Sequence, residues 1–475
     1  VRSHLVGALL LATALTACTD MGMTAYSSDP NVPIARNFAA YHAANPGIVD
    51  NGWVRSFGSP VLVSLVNEAI ANSPDLRAAS FRVEEARALA RQAGADVFPT
   101  LSAGLSTEDR GLVETGGVEP DDDVQARLDV SWEADIWGRV RGQRAAAYLD
   151  AAAEVAVFEG VRQALAAEVA RAWIQVTGDA YRLRLARDEL GVRTRILRNV
   201  EERIAAQTLV AVDGNLVRAD VARTRSDVAA AEGNLARSAR ALEVLLGRYP
   251  SAELKDLGGL PGMPGAVPVG LPAQLLERRP DLVARERQVA AAFNREREAR
   301  AARLPTLTLD ASLVGEEGNL GDALDPANII WSVAGGVFAP LIDGGARAEQ
   351  VKVTSARQKT ALAEYGTAAL RAFQEVENAL SDEQVLSRRE AQLGRAVSEF
   401  REASGLEQER YEAGEVDLIR VEDALLRFYD SQSALADVRI ARLLNRVNLH
   451  LALGGSFDEQ PAVQQPESDA ESSDT

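Results

Sequence analysis

The apolar positions of this chain change period several times, and each change marks a different kind of element. Val124, Ala126, Leu128, Val130, Trp132 and Ala134 alternate with Gln125, Arg127, Asp129, Ser131 and Glu133. A period of two over that length predicts a strand with one apolar and one polar face, long enough to cross a membrane when tilted. Thr100 to Ser106 alternates in the same way, as does Thr306 to Leu313, and Ile329, Trp331, Val333 and Val337 supply a fourth apolar face. A half-buried sheet of a soluble protein shows the same alternation, so the faces alone leave both readings open.

Elsewhere the period is helical. Phe158, Val161, Leu165, Val169, Ala172, Val176, Ala180 and Leu183 advance by threes and fours, with no proline from Arg139 to about Ile204. Leu362, Tyr365, Ala369, Phe373, Val376 and Leu380 do the same between Ala346 and about Tyr411. Each run predicts a helix about 100 Å long at 1.5 Å per residue, a spacer or a wall. Gly214 and Ala413-Gly414 predict turns, and return helices over Leu216–Leu246 and Leu418–Leu453 end at Gly247 and Gly454-Gly455.

The two halves repeat. Ser73-Pro74-Asp75-Leu76 meets Arg279-Pro280-Asp281-Leu282, Phe98-Pro99-Thr100-Leu101 meets Leu304-Pro305-Thr306-Leu307, and Ile136-Trp137-Gly138 meets Ile342-Asp343-Gly344, all at an offset of 206. That spacing is too long for a solenoid and indicates one duplicated supersecondary unit. The copies are joined by a Pro/Gly-rich stretch at 248–270, read as a linker because no strand precedes it and no phosphate-loop lysine follows.

Charge sharpens the strand reading. The net charge of −18 is concentrated at 107–123, 315–328 and the tail 458–475, while Arg and Glu are interspersed elsewhere. No basic stripe for nucleic acid exists. Each predicted hairpin is thus closed by a long acidic segment, as expected of outward-facing loops, with helices at the other end. Trp132, Trp137 and Trp331 suit an interfacial belt, and packing tryptophans are an equally ordinary reading. Four strands cannot close a barrel and an open edge cannot lie in lipid, so the chain must oligomerise to form a pore. Two copies would leave the interior plugged by side chains, whereas three leave a passage.

Enzyme chemistry has little support. One cysteine and three scattered histidines (His4, His42, His450) give no Cys/His metal cluster, and no HExxH, GxSxG or P-loop occurs. Leu5 to Ala17 is uncharged and has the length of a signal-peptide core, and Leu15-Thr16-Ala17-Cys18 resembles a bacterial lipobox, predicting lipid on Cys18.

Together these residues resemble the outer membrane factors of tripartite efflux and secretion systems, the TolC-like superfamily, in its lipoprotein branch. The marks are Cys18, Pro280-Asp281-Leu282 with Arg285, Leu304-Pro305-Thr306-Leu307, Asp343-Gly344-Gly345, Glu375-Val376-Glu377-Asn378-Ala379-Leu380, Arg410-Tyr411 with Ala413-Gly414, and Leu451-Ala452-Leu453-Gly454-Gly455. One departure is Gln207, where that family usually has glycine. The resemblance implies a mainly α fold with a small β part. Each protomer of a homotrimer would contribute four strands to a transmembrane β-barrel and long helices to a periplasmic α-helical tunnel. It implies an outer-membrane location, partnership with a periplasmic adaptor and an inner-membrane pump, no cofactor beyond the lipid, and passive conduction of small molecules. A protein-secretion duct of the same fold is an alternative. So is a lipid-anchored coiled-coil scaffold without a pore, which leaves the strands without a role.

The expected organisation is a signal peptide at 1–17, a lipid-anchored segment at 18–58, a first repeat at 59–247, the linker at 248–270, a second repeat at 271–457, and a disordered acidic tail at 458–475. Gly214, Ala413 and Gly414 are expected at adaptor-facing tips. Around the second tip acids dominate and around the first arginines do. Glu407, Arg410, Arg203 and Glu402 are therefore the candidate gate residues, the acids favouring cations and Arg–carboxylate contacts between tips holding the closed state. Ordinary solvated Glu/Arg mixing on a helix surface would look the same in sequence.

Overall fold

The structure, a computed structural model, describes residues 32–40, 51–114 and 117–458, so Cys18 and the tail beyond Asp458 lie outside it. Helix α1 (Pro60–Asn72) starts where the Ser59 hydroxyl accepts the Leu62 N–H, and α2 (Pro74–Ala95) starts in the same way at Ser73. In both, proline occupies the first turn, where its missing N–H costs nothing. Strands β1 (Thr100–Glu114) and β2 (Gly117–Ala134) follow, then α3 (Arg139–Ala205) and α4 (Ala211–Leu245). The second copy runs α5 (Leu275–Arg278), α6 (Pro280–Ala301), β3 (Thr306–Glu317), α7 (Leu320–Ala323), β4 (Ile330–Phe338), α8 (Ala346–Glu412) and α9 (Leu418–Ala452). The long helices α3 and α8 have 67 residues each and the return helices α4 and α9 have 35 each.

The hairpin turns close alike. The Thr208 N–H donates to the Arg203 carbonyl and the Glu415 N–H to the Arg410 carbonyl, both at 2.9 Å, each behind a residue in the left-handed region. That residue is Gly414 at φ 78 in one copy and Gln207 at φ 58 in the other. A side chain there costs about 1–2 kcal/mol relative to glycine. The turn expected at Gly214 is therefore corrected: it falls at Gln207, and Gly214 lies inside α4. Gly214 lies close to α3, where a Cβ would sit 2.8 Å from Ile204 Cδ1 and displace the end of that side chain.

The sheet is antiparallel in the order β1-β2-β3-β4. Its acidic ends also differ from expectation. β1 and β2 stay paired through 107–123 up to Glu114↔Gly117, and β2 leaves β3 beyond Val124↔Glu317, so the first hairpin continues alone as a two-stranded ribbon. Acidic residues forbid burial but not backbone pairing. In the second copy α7 interrupts the acidic segment, and its Ala323 carbonyl approaches β3 so closely that only glycine fits at Gly315.

The main core sits midway along the helices, where Trp173, Ile174 and Val169 of α3 meet Leu62 and Val66 of α1, Leu242 of α4 and Val447 of α9. The stretch read as a linker belongs to this core. Leu254, Leu257, Leu260 and Met263 pack on it, and Val267 and Val269 enter a neighbouring cluster with Phe38, Val376 and Leu453. Buried Glu243 accepts the N–H groups of Ala252 (2.7 Å), Glu253 (2.6 Å) and Leu254 (3.1 Å), which fixes the stretch as a girdle. The amino-terminal segment is clasped nearby, where the Ala39 and Ala40 N–H groups donate to Glu377 at 2.6 and 2.7 Å and Trp53 stacks on buried His450. Burial, with Arg446 adding to it, lowers the His450 pKa to about 3, so the ring is neutral at physiological pH.

Candidate functional site

Two regions carry the functional geometry, the sheet at one end of the long helices and the hairpin turns at the other. On the sheet the register aligns Leu128 with Ala103 and Leu313, Leu313 with Trp331, and Val130 with Leu101 and Ala311, which makes one face continuously apolar. Leu101, Leu105, Leu309, Leu313, Trp331, Val333 and Val337 on that face are exposed. The opposite face is polar and internally bonded. Ser131 donates to Asp310 at 2.7 Å, the Ser312 and Ser332 hydroxyls lie 2.8 Å apart, and Arg127 is 3.5 Å from Asp129. An apolar belt of this size is stable only under lipid, so the polar face must line an aqueous interior. Trp132 and Trp137 secure the base of the sheet, donating to the carbonyls of Val97 (2.9 Å) and Pro305 (2.7 Å). Among the described residues no helix is long and apolar enough to cross a membrane.

At the turns, the structure brings together some of the candidate gate residues. Arg410 lies 3.4 Å from Glu407 and 3.3 Å from Glu415, both within its own hairpin. Arg203, expected to meet an acid of the other tip, instead stacks on the ring of Tyr411 at 4.6 Å. Within one protomer the tip-to-tip contact is thus cation–π, on a buried ring under a half-buried guanidinium, worth about 0.5–2 kcal/mol. Glu402 is exposed, as are Ala413 and Gly414, whereas Gly214 is buried against Ile204. Between the hairpins a groove of about 260 Å³ is lined by Ile196, Asn199, Arg203, Tyr411 and Leu418. Two buried oxygens near it, Glu407 Oε2 and the Tyr411 hydroxyl, have no partner.

Sequence reasoning missed the residues that join the hairpins. The joining seam runs between α3 and α9. Arg171 donates to Asn448 (3.0 Å), Arg182 to Asp437 (2.7 Å) and Arg193 to Glu422 (2.5 Å). The available signal was the arginine spacing, since 171, 182 and 193 recur every eleven residues, three helical turns, and so share one face.

An amphipathic sheet standing on paired helices of this length defines a membrane-embedded channel with a helical extension, not an enzyme. The chain belongs to the outer membrane efflux protein family, whose model matches residues 65–248 and 271–455. The probable outer membrane lipoprotein SilC of Salmonella typhimurium is 28% identical, over 90% of this chain and 94% of SilC. The pyoverdine export outer membrane protein OpmQ of Pseudomonas aeruginosa is 32% identical, over 85% of this chain and 87% of OpmQ. The solved outer-membrane channel OprN superimposes with a TM-score of 0.86 at 26% identity, covering 91% of this chain and 98% of OprN. The protein is an outer-membrane exit channel of a tripartite efflux system, working with an adaptor and an inner-membrane pump.

Proposed function

We propose that three copies of this chain close one twelve-stranded barrel in the outer membrane, with Cys18 carrying lipid and the helices forming a tunnel into the periplasm. The observation that carries this is the open sheet, whose β1 and β4 edges are unpaired among the described residues while one face is apolar throughout. Unpaired strand edges cannot lie in hydrocarbon, and four strands per copy make three copies sufficient for an aqueous bore. Residues 59–247 and 271–457 are the two repeats of the protomer, and 18–58 is its lipid-anchored segment. The cargo is small molecules handed over by the pump. Pyoverdine, which OpmQ exports, fits such a duct, whose specificity lies upstream.

The turns are the periplasmic gate, where Glu407 and Glu402 favour cations, Arg410 braces Glu407, and Arg203 on Tyr411 holds the hairpins together. Gly414, Ala413 and the Gln207 turn face the adaptor. The test is planar-bilayer recording of the purified protein with its intact mass. Lipidated trimers should conduct, Arg203→Ala should raise open probability, and Glu407→Gln should reduce cation preference. Non-conducting protein, or an unmodified Cys18 in outer-membrane material, would overturn the corresponding part.

A further inference from the structure

Between the mid-helix core and the cluster at the turns, the bundle changes character. On α3 the main core ends at Leu183 and the tip cluster resumes burial at Ile196, and between them Arg193 is the one fully buried residue. On α9 no residue is buried between Tyr429 and Leu435. On α3 that stretch is filled by charge. Arg193 donates to Glu189 of its own helix at 2.8 Å and to Glu422 of the other hairpin at 2.5 Å, and Asp220 of α4 adds a third carboxylate to its surroundings. A cavity of about 240 Å³ beside it is lined by Arg182, Arg223, Asp227, Tyr429 and Asp430. Polar, loosely filled layers are where a packed bundle yields first.

Glu422 stands at the border of this layer, beside the buried Val421 and Leu425 of the tip cluster, and has a particular geometry. Its Oε2 accepts the Arg193 N–H, while Oε1 is buried and unpartnered. A buried carboxylate oxygen without a donor is costly, and three carboxylates around one guanidinium leave an excess of negative charge. A proton on Oε1 removes both problems and leaves the bond to Arg193 in place.

We propose that Glu422 is a proton-binding site that latches the two hairpins, its protonation on Oε1 holding α3 and α9 together and so favouring the closed tip. The step is the addition of one solvent proton to the carboxylate, with no other bond broken. This rests on the reading of the turns as the gate. The groups facing Glu422 are Glu189 and Arg193 from α3 and Asp220 from α4, with Tyr429 on its own helix held neutral, its pKa raised to about 12 chiefly by burial. Desolvation first, then Asp220 and Glu189, raise the Glu422 pKa above its ordinary 4.5 against the pull of Arg193. When the hairpins separate, Glu422 meets water and returns to the ordinary value. The closed state therefore binds the proton more tightly, and acidification through the window above 4.5 shifts the equilibrium toward it. The shift is up to about tenfold for each pKa unit separating the two states.

The experiment places spin labels on exposed positions of the two hairpins, Arg198→Cys and Ile419→Cys, in a Cys18→Ser background with trimers diluted by unlabelled chains. As pH falls from about 8 to about 5, the wild-type distance distribution should narrow toward its short component. Glu422→Gln should show the narrow distribution at every pH, and Asp220→Asn should move the transition to lower pH. Arg187→Gln, which removes an exposed pair with Glu232, should respond as wild type. A wild-type distribution that ignores pH, or a Glu422→Gln distribution that still responds, overturns the latch. Open probability is recorded in parallel. Distances that respond while open probability does not leave the latch standing and remove the turns as the gate.

Discussion

Replacing Trp173 with alanine should cost about 3–5 kcal/mol, the largest effect of any single truncation expected in this chain. Trp173 is 2% exposed and sits where α3 meets α1 and α9 in the main core. Its neighbours belong to helices anchored at both ends, so they cannot collapse into the space an indole leaves, and the cavity remains. The indole N–H has no partner. Phenylalanine therefore loses packing volume without losing a hydrogen bond, and Trp173→Phe should cost only about 1–2 kcal/mol. Thermal loss of the helical circular-dichroism signal in purified protein orders the variants. Equal losses for the two substitutions would mean the site is valued for something other than volume.

Glu243→Ala should be nearly as damaging, at about 3 kcal/mol, because it strands the N–H groups of Ala252, Glu253 and Leu254 together, the first of them buried. Glu243→Gln keeps the acceptor and loses only the charge, so it should recover part of the loss. Burial alone raises the Glu243 pKa, but the N–H donors of Ala252, Leu254, Glu253 and Ser251 outweigh it and hold the group below its ordinary 4.5. A depressed native pKa means that its contribution is complete above 4.5 and disappears as pH falls through the lower native value. The stability gap between wild type and Glu243→Ala, measured by denaturant unfolding, should be flat near neutrality and close in acid. Protease cleavage within 248–270 should rise in the alanine variant, since the girdle is what the carboxylate holds. A gap that widens in acid would contradict the assignment. Glu422 has the opposite sign: burial raises both groups, and at Glu422 Asp220 and Glu189 add to it and Arg193 does not overcome it, whereas at Glu243 the N–H donors do.

Some misreadings of the sequence share a cause. Gly214 looked like a turn because glycine is a poor helix former, yet it stands inside α4 against Ile204 of α3, and the turn is formed by Gln207. Acidic residues at 107–123 looked like a loop because charge signals exposure, which a paired ribbon also provides. The 248–270 stretch joins the two copies, and what its prolines and glycines concealed is that its leucines and valines pack against the helices. In each case a local propensity was correct about the residue and silent about its neighbour.

What the sequence by itself determined is what depends on short spacing. The apolar period and the absence of proline set α3 at Arg139–Ala205 and α8 at Ala346–Glu412, close to the expected ends. The period of two set the sheet faces, and the constant offset set the duplication. The partners of the arginines were decided only by the tertiary structure. Arg193 lies far along the chain from Glu422, and Arg203 from Tyr411. The rotation that brings those faces together comes from the core around Trp173, where α1, α3, α4 and α9 pack as one. A helix surface offers its charges all round, and only the packing of a distant core selects which of them meet.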